Sequence, residues 1–293
     1  MKPIRKQFDP NSSFPLQIVY KDTKRIQDEL PYHFHDWYEL IFVHRGKGTS
    51  FIDQSVRKME GGNVFVIPGN TIHRVIPDEK TPATSTAIYF NPLLITNRFL
   101  GDTFSYLQIF EESLRSKSYK YILQKDQQRH INTLLDQIYF ELTNKEMGYR
   151  HAALTHVQLL LLFLSRTMIK NPEQNSQSTH LGPSWMKDIL EYLEQHFTDK
   201  ITLEMLSSHS NVSIAHLSRV FKETTGLNIS EYITTKRILK AKELLLRTND
   251  KIAAIAEQCG FESMPHFHRT FKKYIGHTPA DYRKNANYNK LKS

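Results

Sequence analysis

At 293 residues the chain has room for two ordinary domains, and its net charge of +9 is spread along it, about +5 of it after Gly182. A basic balance favours salt-dependent association with nucleic acid without identifying a nucleic-acid binder on its own. A single cysteine, Cys259, excludes an intramolecular disulfide and fits a reducing cytoplasm. The opening MKPIRKQFDP carries charge with no apolar stretch behind it, so no secretory leader is expected, and the run Leu159–Leu164 is too short to cross a bilayer.

The first hundred residues read as strands, Tyr38 to Val43, Thr49 to Ile52 and Val64 to Ile67, punctuated by Gly and Pro turns. Two spaced motifs lie among them. PYHFHDWYELIFVHRGKG sets His33, His35 and Glu39 in H-x-H-x3-E spacing, with six residues more before Gly46. GNVFVIPGNTIHRV sets Gly62, then Pro68 after five residues, then His73 five positions on. On a strand, His33 and His35 face one side because the side-chain period is two. Farther along, Ile131, Leu134, Leu135, Ile138 and Leu142 keep helical spacing. After a break at Met147-Gly148, Leu154, Val157, Leu161, Leu164 and Met168 resume it, which predicts two antiparallel helices whose apolar stripes need cover, from the strands of this chain or from a second copy. NPEQNSQSTHLGPS, from Asn171, is polar and Pro/Gly-bearing and reads as a linker.

The last third states one pattern twice, 50 residues apart: SIAHLSRVFKETTG from Ser213 and SMPHFHRTFKKYIG from Ser263. Each has a Ser to cap a helix, an apolar spine and a Gly to end it. At about 100° per residue, Leu217, Val220 and Phe221 share one face, with Ala215, Arg219 and Lys222 opposite. Phe267, Thr270 and Phe271 likewise oppose Pro265, Arg269 and Lys272. Upstream of the first copy, Thr202 is placed to cap a helix bearing Leu203 and Leu206, and Ser210–Val212 forms a turn. Upstream of the second, Ile252, Ile255 and Ala256 lead to a turn at Gly260-Phe261. Helix, turn and basic helix make a helix-turn-helix, and Glu231 to Leu246 reads as a rod between the two units.

Over about Pro183 to Lys284 these residues, with Thr278-Pro279 and Tyr282-Arg283, resemble the DNA-binding domain of the AraC/XylS family of bacterial transcription regulators. The resemblance implies an α+β multidomain chain: a cupin-type effector-sensing sandwich or barrel over 1–97, a helical dimerisation region over 98–170 and a linker over 171–183. An all-α tandem helix-turn-helix domain over 184–285 and a frayed tail over 286–293 complete it. It places Ala215, Ser218, Arg219, Met264, Pro265, His268 and Arg269 at base edges, and Lys222 and Lys272 at phosphates. Arginine suits guanine because its fork matches O6 and N7.

The N-terminal motifs resemble the cupin signature, which carries metal ligands onto His33, His35, Glu39 and His73 and suits Fe, Mn, Ni or Zn. Here Asn70 stands where that signature has a Gly, and Asn tolerates left-handed geometry. Three readings stay open for the four residues: a transition-metal site, an effector pocket with Trp37 and Tyr38 as ring platforms, and structural histidines. The family implies double-stranded DNA, a small-molecule effector such as a carbohydrate, RNA polymerase and a second copy of the chain as partners. It also implies a cytoplasmic location, no membrane and activation rather than catalysis. The alternative is a metal-dependent cupin enzyme, or a metal sensor, fused to a DNA reader.

Overall fold

The computed structural model describes residues 4–9, 12–23, 25, 30–53, 55–95, 104–168, 183–225 and 227–290. They divide into two compact units, a β-rich one carried by residues 6–30 and 34–181 and a mainly helical one carried by 182–293 together with 1–5 and 31–33. Most of the expected linker over 171–183 lies outside the described residues.

The β-rich unit stacks two five-stranded sheets. One runs β1 (Ile4–Arg5), β3 (His33–Phe34), β8 (His73–Pro77), β5 (Lys47–Ile52), β6 (Ser55–Glu60) in spatial order. The other runs β10 (Lys120–Ile122), β7 (Asn63–Ile67), β4 (Tyr38–Arg45), β9 (Thr84–Phe90), β2 (Leu16–Thr23). β4 is central and antiparallel to both neighbours, with Glu39 opposite Ile67 on β7 and Tyr89 on β9. Its side chains alternate between two cores. Ile41 and Val43 face inward with Phe65, Ile67, Ala87 and Tyr89. Leu40 and Phe42 face outward with Val64, Val66 and Ile88. Both faces are buried over Leu40–Val43, so the middle of β4 reads as an unbroken apolar run.

The outward face is covered by α1 (Gln108–Ser116) and by the hairpin of α2 (Lys125–Asn144) and α3 (Tyr149–Met168). Gly148 takes φ +82° between the two long helices, a conformation suited to glycine. Ile131, Leu134, Leu135, Ile138, Val157, Leu161 and Leu164, in the region that the resemblance assigns to dimerisation, are buried against the sheet within this unit. A sheet face bearing Leu40, Phe42 and Val66 needs such a cover. The large apolar side chains left exposed on the hairpin include Tyr139, Phe140 and Leu159. The expected helical region is also interrupted by β10, which pairs with β7 through Tyr121 opposite Val64.

The helical unit comprises α4 (Ser184–His196), α5 (Leu203–Ser210), α6 (Ile214–Thr225), α7 (Ile229–Arg247), α8 (Ile252–Gln258), α9 (Met264–Ile275) and α10 (Pro279–Lys290). Thr202 caps α5 by accepting from Met205 N at 3.3 Å, and Ser213 Oγ accepts from His216 N at 3.3 Å at the head of α6. Ser263 precedes α9 in extended geometry without a side-chain cap bond. Pro265 at N1/N2 makes up part of that loss, since its missing N–H needs no partner in the first turn. The rod α7, with 19 residues, is about 28 Å long. Leu206, Leu217, Phe221, Ile238, Ile255, Phe267 and Phe271 are fully buried. The tail expected to fray continues α10 to Lys290, started by Thr278 Oγ1 accepting from Asp281 N at 3.2 Å.

At the turn before α9, Gly260 has φ +79°, and a Cβ there would lie 2.2 Å from the backbone oxygen of Thr198. Gly260→Ala therefore combines backbone strain with a clash against main chain. A loss of at least about 2–3 kcal/mol is expected by chemical denaturation. A change below a few tenths would show that the turn relaxes freely. Next to it Cys259 is buried, which pushes its thiol up to about 11, so it stays a protonated core residue.

Candidate functional site

Two places in the fold concentrate chemistry. The first is inside the β-rich unit, where the chain crosses from one sheet to the other. β3 ends at Phe34, and a bend at Asp36 and Trp37 leads into β4. His33 therefore lies on β3 while His35 falls just past its end, so the two do not sit together on one continuous strand as the reading of H-x-H on a strand expects. The second motif is pressed against this bend. Asn70, at φ +64°, donates its N–H to His35 O at 2.6 Å, and a Cβ on Gly69 would come within 2.4 Å of Asp36 O. Asn70 thus takes the left-handed geometry that a glycine would otherwise supply.

This packing brings the four predicted residues together. His33, His35, Glu39 and His73 are all buried, and one ligand atom from each lies within 4.8 Å of the others. Glu39 Oε2 lies 3.0 Å from His35 Nε2 and 3.1 Å from His73 Nε2. Nδ1 of each ring meets a backbone carbonyl: Pro31 O for His33 at 2.9 Å, Trp37 O for His35 at 2.7 Å, and Thr71 O for His73 at 2.9 Å. A carbonyl only accepts, so Nδ1 carries a proton; Nε2 then points inward, donating to Glu39 when the ring is doubly protonated and offering a lone pair when it is neutral. Burial lowers the pKa of His35 against the pull of Glu39. Burial alone would raise that of Glu39, yet the two imidazoles beside it, His35 and His73, hold it well below the usual carboxylate range. With the rings neutral, an ionised carboxylate facing inward-turned imidazoles is a set of acceptors suited to a cation.

Trp37 is buried beside this cluster, in the inner core. Tyr38 is not: its ring packs 4.4 Å from Phe110 and 5.9 Å from Phe90 on the helix-covered face. Alternation along the strand separates the two. Sequence reasoning missed Phe8, which stacks on Trp37 with ring centroids 4.2 Å apart and planes 6° apart, and meets the His35 ring edge-on at 5.4 Å. Lys6 Nζ sits 3.6 Å from the centre of the Tyr89 ring. No local spacing links residues 6–8 to a motif thirty positions on, so only the fold reveals them.

The second place is the outer face of α6 and α9. Ala215, Arg219 and Lys222 are exposed and Ser218 is half-buried. Pro265, Arg269 and Lys272 are exposed, with Met264 and His268 half-buried. Leu217, Val220 and Phe221 behind α6, and Phe267, Thr270 and Phe271 behind α9, are buried as the wheel predicts. Each helix is the second of a helix-turn-helix, pinned by aromatics and turning a cationic face to solvent. Among the described residues no helix is long and apolar enough to cross a membrane.

A buried polar cluster in a β-sandwich, joined to two basic helix-turn-helix units, defines a DNA-binding transcription regulator with a ligand-binding domain. Residues 206–285 match the family model for a helix-turn-helix domain, and residues 16–161 match the AraC-like ligand binding domain. The chain belongs to the AraC family of transcription regulators. It is 24% identical over 284 residues to the HTH-type transcriptional activator RhaS of Enterobacter sp. (strain 638), covering 94% of each chain. It is 27% identical over 257 residues to the uncharacterized HTH-type transcriptional regulator YdiP of Escherichia coli (strain K12), covering 87% of this chain and 82% of that one. Among solved structures, ToxT from Vibrio cholerae aligns with 92% of this chain and 98% of its own, at 16% identity and a TM-score of 0.36.

Proposed function

We propose that this chain is a cytoplasmic transcription activator that reads DNA through Ala215, Ser218, Arg219, Met264, Pro265, His268 and Arg269, holds phosphates through Lys222 and Lys272, and is governed by a small molecule in the β-rich unit. The observation that carries the DNA-reading part is the repeated exposed Arg–Lys face on α6 and α9, each backed by a fully buried spine. RNA polymerase and a second copy of the chain are the protein partners of this reading, and Tyr139, Phe140 and Leu159 offer apolar surface for the second copy. An effector acts only through unequal affinity for the two regulatory states, with a coupling of about 1–3 kcal/mol being usual.

Carbohydrate is the effector class proposed, with Trp37 as the ring platform beside the hydrogen-bonding groups of His33, His35, Glu39 and His73. The test is thermal unfolding of the full chain against a sugar panel. A stabilising sugar should raise the midpoint, and Trp37→Phe, which keeps an aromatic core, should weaken that sugar about tenfold. If no sugar in the panel shifts the midpoint, the carbohydrate assignment fails. A second reading is favoured by the inward-turned Nε2 atoms: a transition metal held by His33, His35, Glu39 and His73, making this unit a metal sensor or a metal-assisted effector site.

A further inference from the structure

The two reading helices differ at one position that faces the reading arginine. In α6, Arg219 Nη1 donates to both carboxylate oxygens of Glu223, one turn on, at 3.0 and 3.1 Å. Its Nη2 lies 3.2 Å from His216 Nδ1, one turn back. His216 is in turn backed by Trp185 of α4, ring centroids 5.8 Å apart. In the same frame α9 carries His266, Arg269 and Lys273, so a cation takes the place of the acid.

Arg219 and Glu223 are each 60% exposed, and a pair this open adds little to folding stability. Its effect is on geometry. A free arginine loses the freedom of several rotatable bonds when it docks, and that loss is subtracted from affinity for the right base. An arginine already held by Glu223 and His216 has surrendered that freedom beforehand. With Nη1 engaged by Glu223 and one Nη2 hydrogen by His216, Nε–H and the second Nη2 hydrogen remain to address O6 and N7 of a guanine. A carboxylate at this place also repels phosphates, which penalises a non-specific backbone grip by the same helix. Lys273 does the reverse in α9: it adds a third cation beside Arg269 and Lys272, favours phosphate contact and offers Arg269 no brace.

We infer that Glu223, assisted by His216, is a positioning residue that fixes Arg219 for base readout, so that the first head discriminates between sequences more sharply than the second. This rests on the assignment of Arg219 to a base edge, and the test separates the two. The full chain and its Arg219→Ala, Glu223→Ala and Glu223→Gln variants would each select duplexes from a random-sequence pool. Affinity for one fixed random-sequence duplex would be measured beside the preference at every base pair.

Arg219→Ala should flatten the preference at one base pair. Glu223→Ala should reduce discrimination at that same pair by on the order of two- to tenfold, the usual range for immobilising one long side chain. Its affinity for the random-sequence duplex should hold or rise, and Glu223→Gln, which keeps an acceptor, should fall between. Glu223→Ala with an unchanged preference at the pair that Arg219→Ala erases would overturn the brace while leaving base contact by Arg219 intact. Arg219→Ala that flattens no pair would remove the base-contact assignment and the inference with it. If Glu223→Ala lost selected and random binding alike, with a lower melting temperature, the residue would be structural and the inference wrong.

Discussion

Replacing Arg219 or Arg269 by alanine is expected to weaken binding to a selected duplex by roughly ten- to a hundredfold, the range of one good bidentate base contact. Both side chains project from the solvent face of a helix whose opposite face is buried, so alanine should leave the fold intact. The lysines one turn on act differently. Lys222→Ala or Lys272→Ala should weaken selected and random duplexes alike and lower the slope of log affinity against log salt by about one. Titrations of labelled duplex at several salt concentrations measure both quantities. A mutation in the expected linker, such as Gln177→Ala, supplies the baseline. Equal behaviour of Arg219→Ala, Arg269→Ala and Gln177→Ala would sink the reading-helix assignment.

The DNA-reading unit was legible because its signals are local. A helix carries its own periodicity, and Ser213, Phe221 and Gly260 mark cap, spine and turn, each within a dozen or so residues of the helix it serves. The duplication then checks each copy against the other. The β-rich unit was legible only in part. The residue types at 33, 35, 39 and 73 pointed to one cluster, and the structure brings them together. The route between them did not show, because a bend at Asp36 and Trp37 that changes sheets has no periodic signature. The hairpin shows the same limit. An apolar stripe on α2 and α3 states that something must cover it, and not whether that cover is another copy or the chain's own sheet. Leu40, Phe42 and Val66 settle the point for the stripe itself, leaving Phe140 and Leu159 outside. Phe8 against Trp37 is the extreme case, a contact set by tertiary packing with no local pattern to announce it.

About one equivalent of a first-row divalent metal is expected to bind the full chain after incubation with the ion and exhaustive dialysis. The argument is geometric. Three imidazoles and a carboxylate converge, and backbone carbonyls take the Nδ1 proton of each ring, the outer-shell arrangement that turns Nε2 toward a metal. Histidines kept only for packing have no need to aim their ring nitrogens at a shared carboxylate. His73→Ala and Glu39→Ala should each lower metal affinity by more than the roughly 10–100-fold typical of outer-shell changes, since each removes a ligand. Metal held by the folded chain alone should also stabilise it, by about 2.7 kcal/mol at a hundredfold excess over Kd. The unfolding midpoint should therefore climb with added metal in the parent chain and stay level in both variants. Elemental analysis after dialysis gives the stoichiometry, and chelator should return the midpoint to its starting value. Metal content unchanged by His73→Ala or Glu39→Ala would place the ion elsewhere on the chain. An empty parent chain would leave the four residues as hydrogen-bonding groups for an organic effector, with Trp37 beside them.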